Sequence, residues 1–564
     1  DSIKTFTQAL VATNKVSDFT NYVYNCFDSV ADNVTLGADF FGAANAEGRK
    51  KINSLRGTFY SANKLVSVEE GLLDGMTNLT DIEAIFYACN NLQYVPQNLL
   101  STATALKNAR AAFYGCSSLG LNVSSEGCML TPCGTETEYS SQVFSSESNV
   151  ENIDLMFYSC SNIKPTDGLT GFFDSFKKST PTSGYVPKLT TTYSAFRGCS
   201  KLPYVGENIL AISSLEHIDG IFAGTMRDDG VEETEIKSLF GVSTTLANLV
   251  SARGVFQGCT KLTGNVPNNF FAKATNLTHI GAQQVAITNY NDSHFGQTYY
   301  GFFAGTSIQT VPATLLQPLT NLVSCSGLLC NSVSSNTIQN NTTFEGFILE
   351  DGAKTTSVPA SFFPDNSVLT TISWSFAGCT AIESVADGLE VDGSRVIPNS
   401  VIDATGLFAR CTSLGVVPGN LFKNKSNLVY ANYIFTDCEA LNFDFTSKPF
   451  EGCTKLAGLR ASFMGTAISG TGIGSDEILP AIPADLFDSC RDSLNDVSYM
   501  FAGCSGLKGS IGTGYAIIND EAAVKNAYNN FINSKYTELI PKLAATIAES
   551  VANSVKAFQE ELLT

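Results

Sequence analysis

Residues 408–435 read FARCTSLGVVPGNLFKNKSNLVYANYIF, from Phe408 to Phe435. A block F-x-x-C-x-x-L opens the stretch, V-P-x-x-[LF]-[LF] follows, and the next block phenylalanine comes 27 residues after the first. Working outward, the first block recurs as FYACNNL at Phe86, FYGCSSL at Phe113, FYSCSNI at Phe157, FRGCSKL at Phe196, FQGCTKL at Phe256, FAGCTAI at Phe376, FTDCEAL at Phe435 and FAGCSGL at Phe501. Looser copies start at Phe59, Phe222, Phe303 and Phe463. The second block recurs at Val95-Pro96, Val266-Pro267, Val311-Pro312, Val358-Pro359, Val417-Pro418 and, with isoleucine, at Ile482-Pro483. Pro96, Pro359 and Pro418 each precede the next block phenylalanine by 17 residues, and the uninterrupted units run 26 to 28 residues. That period falls in the leucine-rich-repeat range. One such unit cannot bury its own apolar face, so units must stack and align their Phe, Leu and Val positions into ladders. The expectation is an α/β repeat solenoid with a parallel sheet. The L-x-x-V stretches (Leu92 to Val95, Leu414 to Val417) should be short strands ended by proline, which has no N–H to donate. The Leu-Leu or Phe-Phe pair beyond should pack a helical turn inward.

The blocks resemble those of the BspA-type leucine-rich-repeat proteins, which carry M-F-x-G-C-S-x-L; the clearest match is Met500-Phe501-Ala502-Gly503-Cys504-Ser505-Gly506-Leu507. The resemblance covers roughly residues 55–515. It implies a right-handed leucine-rich-repeat solenoid and, among proteins of bacterial surfaces and some protozoa, a role as an adhesin. Long insertions and a helical tail depart from the family's plain pattern.

Composition narrows the function classes. The 564 residues carry 53 acidic and 34 basic side chains, a net charge of −19, with three histidines and one tryptophan. Such a surface repels phosphate backbones, and no Lys/Arg cluster offsets it in the sequence, so nucleic acid is not an expected partner. No run of 18 apolar residues provides a membrane span. His217, His279 and His294 give histidine-based catalysis or metal binding almost no material. No P-loop, G-x-S-x-G or H-E-x-x-H motif is present. The acidic run from Asp228 to Glu233 lacks the alternating ligands of a calcium loop and reads as solvated. The reading therefore assigns no enzyme activity, no cofactor and no metal. The chain begins at Asp1, and residues 1–20 lack a signal-peptide profile, so a processed or shortened product is expected.

Cys89, Cys116, Cys160, Cys199, Cys259, Cys379, Cys411, Cys438 and Cys504 fall three residues after a block phenylalanine, with Cys453 in an extra block at Phe450. Ala62, Thr225, Thr306 and Thr466 replace cysteine at that position, which implies a small buried side chain. Parallel Cβ vectors in stacked units argue against disulfides, so a reduced structural ladder is expected. Cys128 and Cys133, five apart in an insertion, are read either as a local disulfide or as two loop thiols.

The organisation expected is a helical N-terminal cap (1–48), a repeat solenoid with loop insertions (49–515) and a C-terminal helical tail (516–564). In the cap, Phe6, Leu10 and Val11, then Phe19, Val23 and Phe27, have the spacing of amphipathic helices. In the tail, Val551, Val555, Phe558 and Leu562 form a stripe suited to an oligomerisation seam or a docking contact. Insertions near 121–145, 166–187, 227–245 and 281–300 should be surface loops. The last of these supplies a candidate ligand-contact loop of Tyr290, His294, Phe295, Tyr299 and Tyr300. Two functional readings stand: an extracellular or cell-surface protein that recognises protein or glycan ligands, or a fibre or decoration component of a bacteriophage virion or surface filament assembled through the C-terminal helices.

Overall fold

The computed structural model describes residues 2–26, 32–133, 139–228, 230–281, 301–330, 343–364, 366, 368–386, 396–468 and 485–504. They fall into two compact units, Asp1–Asn276 and Leu277–Phe558, each taken over its described residues. In unit 1 a column of parallel bridges links Asp18, Ser54, Asp81, Asn108, Asn152, Thr191, His217 and Ser251 in sequence order. In unit 2 the same column links His279, Ser324, Thr371, Asp403, Tyr430, Gly458 and Asp496. Each bridging residue from Ser54 onward in unit 1 lies five before a block phenylalanine, so one repeat makes one coil and each coil pairs with the next.

The pairing has an alternating backbone as its cause. Around Phe86, the N–H groups of Ile82, Ala84, Phe86 and Ala88 donate to the carbonyls of Asn108, Arg110, Ala112 and Tyr114 in the next coil, at 2.6–3.0 Å. The N–H groups between them (Ile85, Tyr87, Cys89) turn back three residues within their own coil. This works because the positions two before and two after the phenylalanine are left-handed: Ala84 and Ala88 at φ 55° and 57°, Ala111 and Gly115 at 53° and 73°, Gly406 and Arg410 at 63° and 60°. The glycine of F-x-G-C therefore relieves a left-handed strain that Ala88 and Arg410 bear in their coils. The alternation also interrupts extended strand, so true strands are short. In unit 1, β1 (Val34–Leu36) pairs parallel with β2 (Leu65–Val68), and β3 (Thr234–Glu235) with β4 (Leu262–Asn265). In unit 2, β5 (Ser307–Pro312) pairs parallel with β6 (Gly346–Ile348), which turns back antiparallel onto β7 (Lys354–Thr355). Strands β8 (Ser357–Val358) and β9 (Ser384–Val385) pair parallel. The expected strands at Leu92–Val95 and Leu414–Val417 reduce to single bridges, Ser67 with Tyr94 and Ser384 with Val416.

The core is built of ring ladders. Phe59, Phe86, Phe113, Phe157, Phe196, Phe222 and Phe256 stack in order with centroids 5.3–6.1 Å apart. In unit 2, Phe376, Phe408 and Phe435 do the same at 5.7 Å. The second block makes a tight turn rather than a helix: Leu421 N–H bonds the Pro418 carbonyl at 3.1 Å, and Leu421 and Phe422 are buried. Phe450, with its extra block, stacks on Phe422 at 5.5 Å and so continues this second column instead of the first.

Two further expectations change. The N-terminal cap holds one helix, α1 (Ser2–Ala12), while Phe19 and Val23 belong to a coil. There Asn21, Val23 and Asn25 donate to Arg56, Thr58 and Tyr60, with Asn21 and Asn25 both at φ 53°. Their four-residue spacing mimics a helix because a coil also buries positions four apart, as at Ile82 and Phe86. Leu329 likewise takes a block-phenylalanine position, donating to Ser375 two residues after left-handed Gly327. The insertion near 166–187 is not all surface: α2 (Thr170–Asp174) sends Phe172 and Phe173 into the core, and Phe172 meets Phe196 edge-on at 5.2 Å. The tail 516–564, with Val551, Val555, Phe558 and Leu562, lies outside the described residues, as does Ile482-Pro483.

Gly115 isolates the backbone requirement, since a Cβ there would have its nearest neighbour at 3.6 Å and fits the space. Gly115→Ala should lower stability by about 1 kcal/mol through its left-handed φ alone, measured as a shift in the urea midpoint. An unchanged midpoint would refute that requirement.

Candidate functional site

The position two before each block phenylalanine decides what the coil surface displays. From the coil of Phe376 onward in unit 2 it is occupied coil by coil by Trp374, Gly406, Tyr433, Ala461 and Tyr499, all left-handed, at φ between 50° and 63°. Large and small side chains alternate. Trp374 packs on the small residues Cys330, Ala377 and Ala409 and crosses Gly406 to stack on Tyr433, with centroids 6.2 Å apart and planes 28° apart. A Cβ on Gly406 would lie 2.3 Å from the indole, so only glycine permits this arrangement. Tyr430, in the bridge column between Asp403 and Gly458, is 46% exposed, and Tyr499 is 44% exposed.

Polar groups frame these rings. The Arg460 guanidinium lies 5.5 Å from the Tyr499 ring centre and 3.9 Å from the Asp496 carboxylate. The Ser498 hydroxyl and N–H, then Arg460, hold the Asp496 carboxyl below its ordinary range. The Asn432 side-chain oxygen accepts the Arg460 N–H at 2.8 Å. Aromatic faces beside amide, carboxylate and guanidinium groups suit recognition of a partner with both apolar faces and hydroxyls. A bulky residue with positive φ is a genuine outlier, and such strain gathers at functional sites.

Unit 1 makes a different surface from the same lattice. One residue after the coil's central position stand Tyr24, Tyr60, Tyr87, Tyr114 and Tyr158, stacked at 4.4–4.8 Å. Burial pushes the Tyr60 and Tyr114 hydroxyls up to about 12 and Tyr87 higher, so these three stay protonated near neutrality. Three before the phenylalanine, buried Glu83 is clamped by Arg110 at 2.6 Å and Arg56 at 3.4 Å, and Asp219 by Arg253 at 3.3 Å. Stacked rings and ion pairs turn these side chains toward one another.

The block cysteines face inward. Cys89, Cys116, Cys160 and Cys199 each donate S–H to the carbonyl of the preceding block phenylalanine (Phe59, Phe86, Phe113, Phe157) at 3.0–3.1 Å. Cys259, Cys411, Cys438 and Cys504 repeat the contact, and Cys379 bonds Leu329 at 3.8 Å. All are free thiols and buried, as are Cys128 and Cys133. Burial pushes the Cys259 and Cys325 thiols up to about 12, and Cys116, Cys199 and Cys411 well above their ordinary value. They are structural donors with no nucleophilic character. Among the described residues no cluster of His, Cys, Asp or Glu could hold a metal ion. Nor is any described helix long and apolar enough to cross a membrane.

The sequence-predicted contact residues Tyr290, His294, Phe295, Tyr299 and Tyr300 lie outside the described residues. The Trp374, Tyr433, Tyr499 strip was not anticipated; its sequence signal is an aromatic residue two before every second block phenylalanine.

No protein-family model and no curated protein matches the chain. Its neighbours among solved structures are leucine-rich-repeat proteins. One is the TLR13–ssRNA13 complex, at 14% identity over 81% of this chain and 82% of that chain, TM-score 0.20. Another is the plant peptide hormone receptor RGFR1 in complex with RGF2, at 12% identity over 81% and 75%, TM-score 0.14. At those scores the likeness carries no argument about this site.

Two outcomes follow. Gly406→Ala should displace the indole and cost about 1–3 kcal/mol by overpacking, with the emission of Trp374 shifting to the red; an unshifted spectrum would show that Gly406 does not seat the ring. The thiols set a pH limit. A buried thiol with a raised pKa stays protonated in the fold, so its favourable contribution is intact below the ordinary thiol value of about 8.5. It is then lost as pH climbs toward about 12, by up to about 1.4 kcal/mol per pH unit per thiol. Chemical stability should therefore fall steeply above about pH 9; a flat profile from pH 8 to about 11 would contradict thiol burial.

Proposed function

We propose that this chain is a non-enzymatic recognition protein, a right-handed leucine-rich-repeat solenoid of the BspA type displayed outside the cell, and that it binds glycans through the aromatic strip of unit 2. One observation carries the reading: three large aromatic residues, Trp374, Tyr433 and Tyr499, hold left-handed backbone positions that glycine, alanine, serine or asparagine fills in most other coils. Each such placement costs about 1–2 kcal/mol. With Tyr499 exposed and Trp374 and Tyr433 partly exposed, the strip suits an extended chain better than a small enclosed ligand. Its rings offer apolar faces to the C–H faces of sugars, and Asn432, Arg460 and Asp496 offer partners to their hydroxyls. A protein partner would draw on the same aromatic anchors, but the alternation of ring and gap matches a polymer of flat, hydroxylated units more closely.

The chain's one tryptophan makes the test direct. Titration of the full chain with short neutral oligosaccharides should change Trp374 emission saturably. Tyr433→Ala and Tyr499→Ala should each weaken binding about tenfold, equivalent to about 1.4 kcal/mol. Tyr114→Ala, in the self-stacked column, should leave it unchanged. The reading fails if no saccharide perturbs the emission, or if the strip variants bind as the parent does.

A further inference from the structure

Unit 1 carries a second site of different chemistry. A pocket open to solvent, of about 600 Å³, is lined by Lys164, Lys201, Arg227, Asp228, Gly230 and Val231. In a chain of net charge −19, three cations gather around one carboxylate. Their convergence comes from the stacking of coils. Lys164 follows Cys160 by four residues, Lys201 follows Cys199 by two, and Arg227 follows Thr225 by two, so each belongs to the same segment of three successive coils. Local contacts fix them. Lys164 N–H bonds the Leu130 carbonyl at 2.9 Å, and Arg227 N–H bonds Ser200 at 3.2 Å. The Lys201 ammonium donates to the Asn162 side-chain oxygen at 2.6 Å, and Asn162 in turn donates to the Ser117 carbonyl. The Arg227 guanidinium lies close to Gly224, where a Cβ would come within 3.7 Å of Nη1. Asp228, Gly230 and Val231, from a stretch that reads in sequence as a solvated loop, thus line a cationic pocket, with Glu232 and Glu233 exposed beyond it.

We infer that this cavity binds an acidic saccharide unit, a sugar bearing a carboxylate or sulfate group. The cations supply the recognition of an oxyanion, and arginine offers it a planar pair of donors. The volume falls within the range of sites for organic ligands and far exceeds what an inorganic oxyanion fills. Among the described residues no aromatic side chain lines the pocket, so a nucleobase finds no ring there to stack on. Asp228, set among the cations, accepts from sugar hydroxyls and disfavours ligands with several adjacent negative charges. This inference does not rest on the aromatic strip, which lies in the other unit.

The experiment is calorimetric titration of the full chain with glucuronate, N-acetylneuraminate, a sulfated disaccharide, a neutral disaccharide and inorganic sulfate. At least one acidic saccharide should bind, and its affinity should fall at least tenfold in Lys201→Gln and in Arg227→Gln. Binding should also weaken as salt is raised through the range that screens exposed charges. The neutral disaccharide should show none of this behaviour at the cavity. Trp374→Ala should leave acidic-saccharide binding unchanged, which separates failure here from failure of the strip. Circular dichroism and the thermal midpoint establish that the variants fold, and Lys201→Arg, which keeps the charge, should retain most of the affinity. The inference is overturned if none of the acidic saccharides binds, as when the chain's own carboxylates neutralise the cations. It is equally overturned if the glutamine variants bind like the parent, or if inorganic sulfate binds as tightly as the best saccharide.

Discussion

Everything in each unit depends on one constraint: in the segment around the block phenylalanine, every second N–H must point at the next coil. The chain meets it by alternating right- and left-handed residues, as at Ala84 and Ala88 around Phe86. Each coil then gives four hydrogen bonds to its neighbour along this segment, each worth about 1 kcal/mol net. The remaining N–H groups close turns within the coil, so few backbone groups are left over. The same geometry brings successive phenylalanines to a stacking distance of 5.3–6.1 Å and delivers each block cysteine to the carbonyl of the coil before it. The Phe86 carbonyl shows the economy: it accepts from its own coil's Cys89 N–H and from the next coil's Cys116 thiol.

That double acceptance explains a substitution pattern that size alone leaves half explained. A small buried side chain is legible from the interchange of Cys, Thr and Ala. The donor role that Cys adds, absent where Ala62 stands, is not, because its acceptor is a carbonyl in another repeat. Thr225 and Thr466 satisfy the carbonyls of Phe222 and Phe463 in their own coils and reach the thiols of Cys259 and Cys504 at 3.4 and 3.3 Å. The repeat period, the phenylalanine ladder and the coil order were all readable, since they repeat in the sequence as they do in space. Coils lacking the marker were not. Val23 and Leu329 take the phenylalanine position without its block, and the four-residue spacing of Phe19 and Val23 is shared by helix and coil alike. Only backbone handedness separates the two, and asparagine at positions 21 and 25, tolerant of positive φ, is its one trace in the sequence.

The candidate site was hidden for a related reason. Search for function in a repeat protein goes first to insertions, because variation there is obvious. The strip of unit 2 lies inside the regular coils, at a position whose role is conformational. An aromatic residue there is conspicuous only once the left-handed requirement is known, since the smaller side chains at that position then become the rule that Trp374, Tyr433 and Tyr499 break.

The two units show how one lattice yields two surfaces. A ring in every coil stacks on its neighbours at 4.4–4.8 Å, as Tyr60, Tyr87 and Tyr114 do, and each ring spends both faces on the column. Such a column presents ring edges and hydroxyls. A ring in every second coil, with Gly406 or Ala461 between, cannot form a continuous stack. Trp374 leans across its gap to Tyr433, while Tyr499 takes a guanidinium instead of a ring. Spacing along the ladder, more than aromatic content, therefore separates a surface that is complete in itself from one open to a ligand. The small residues carry as much of that distinction as the large ones: fill Gly406, and the indole loses the only place where it can lie flat.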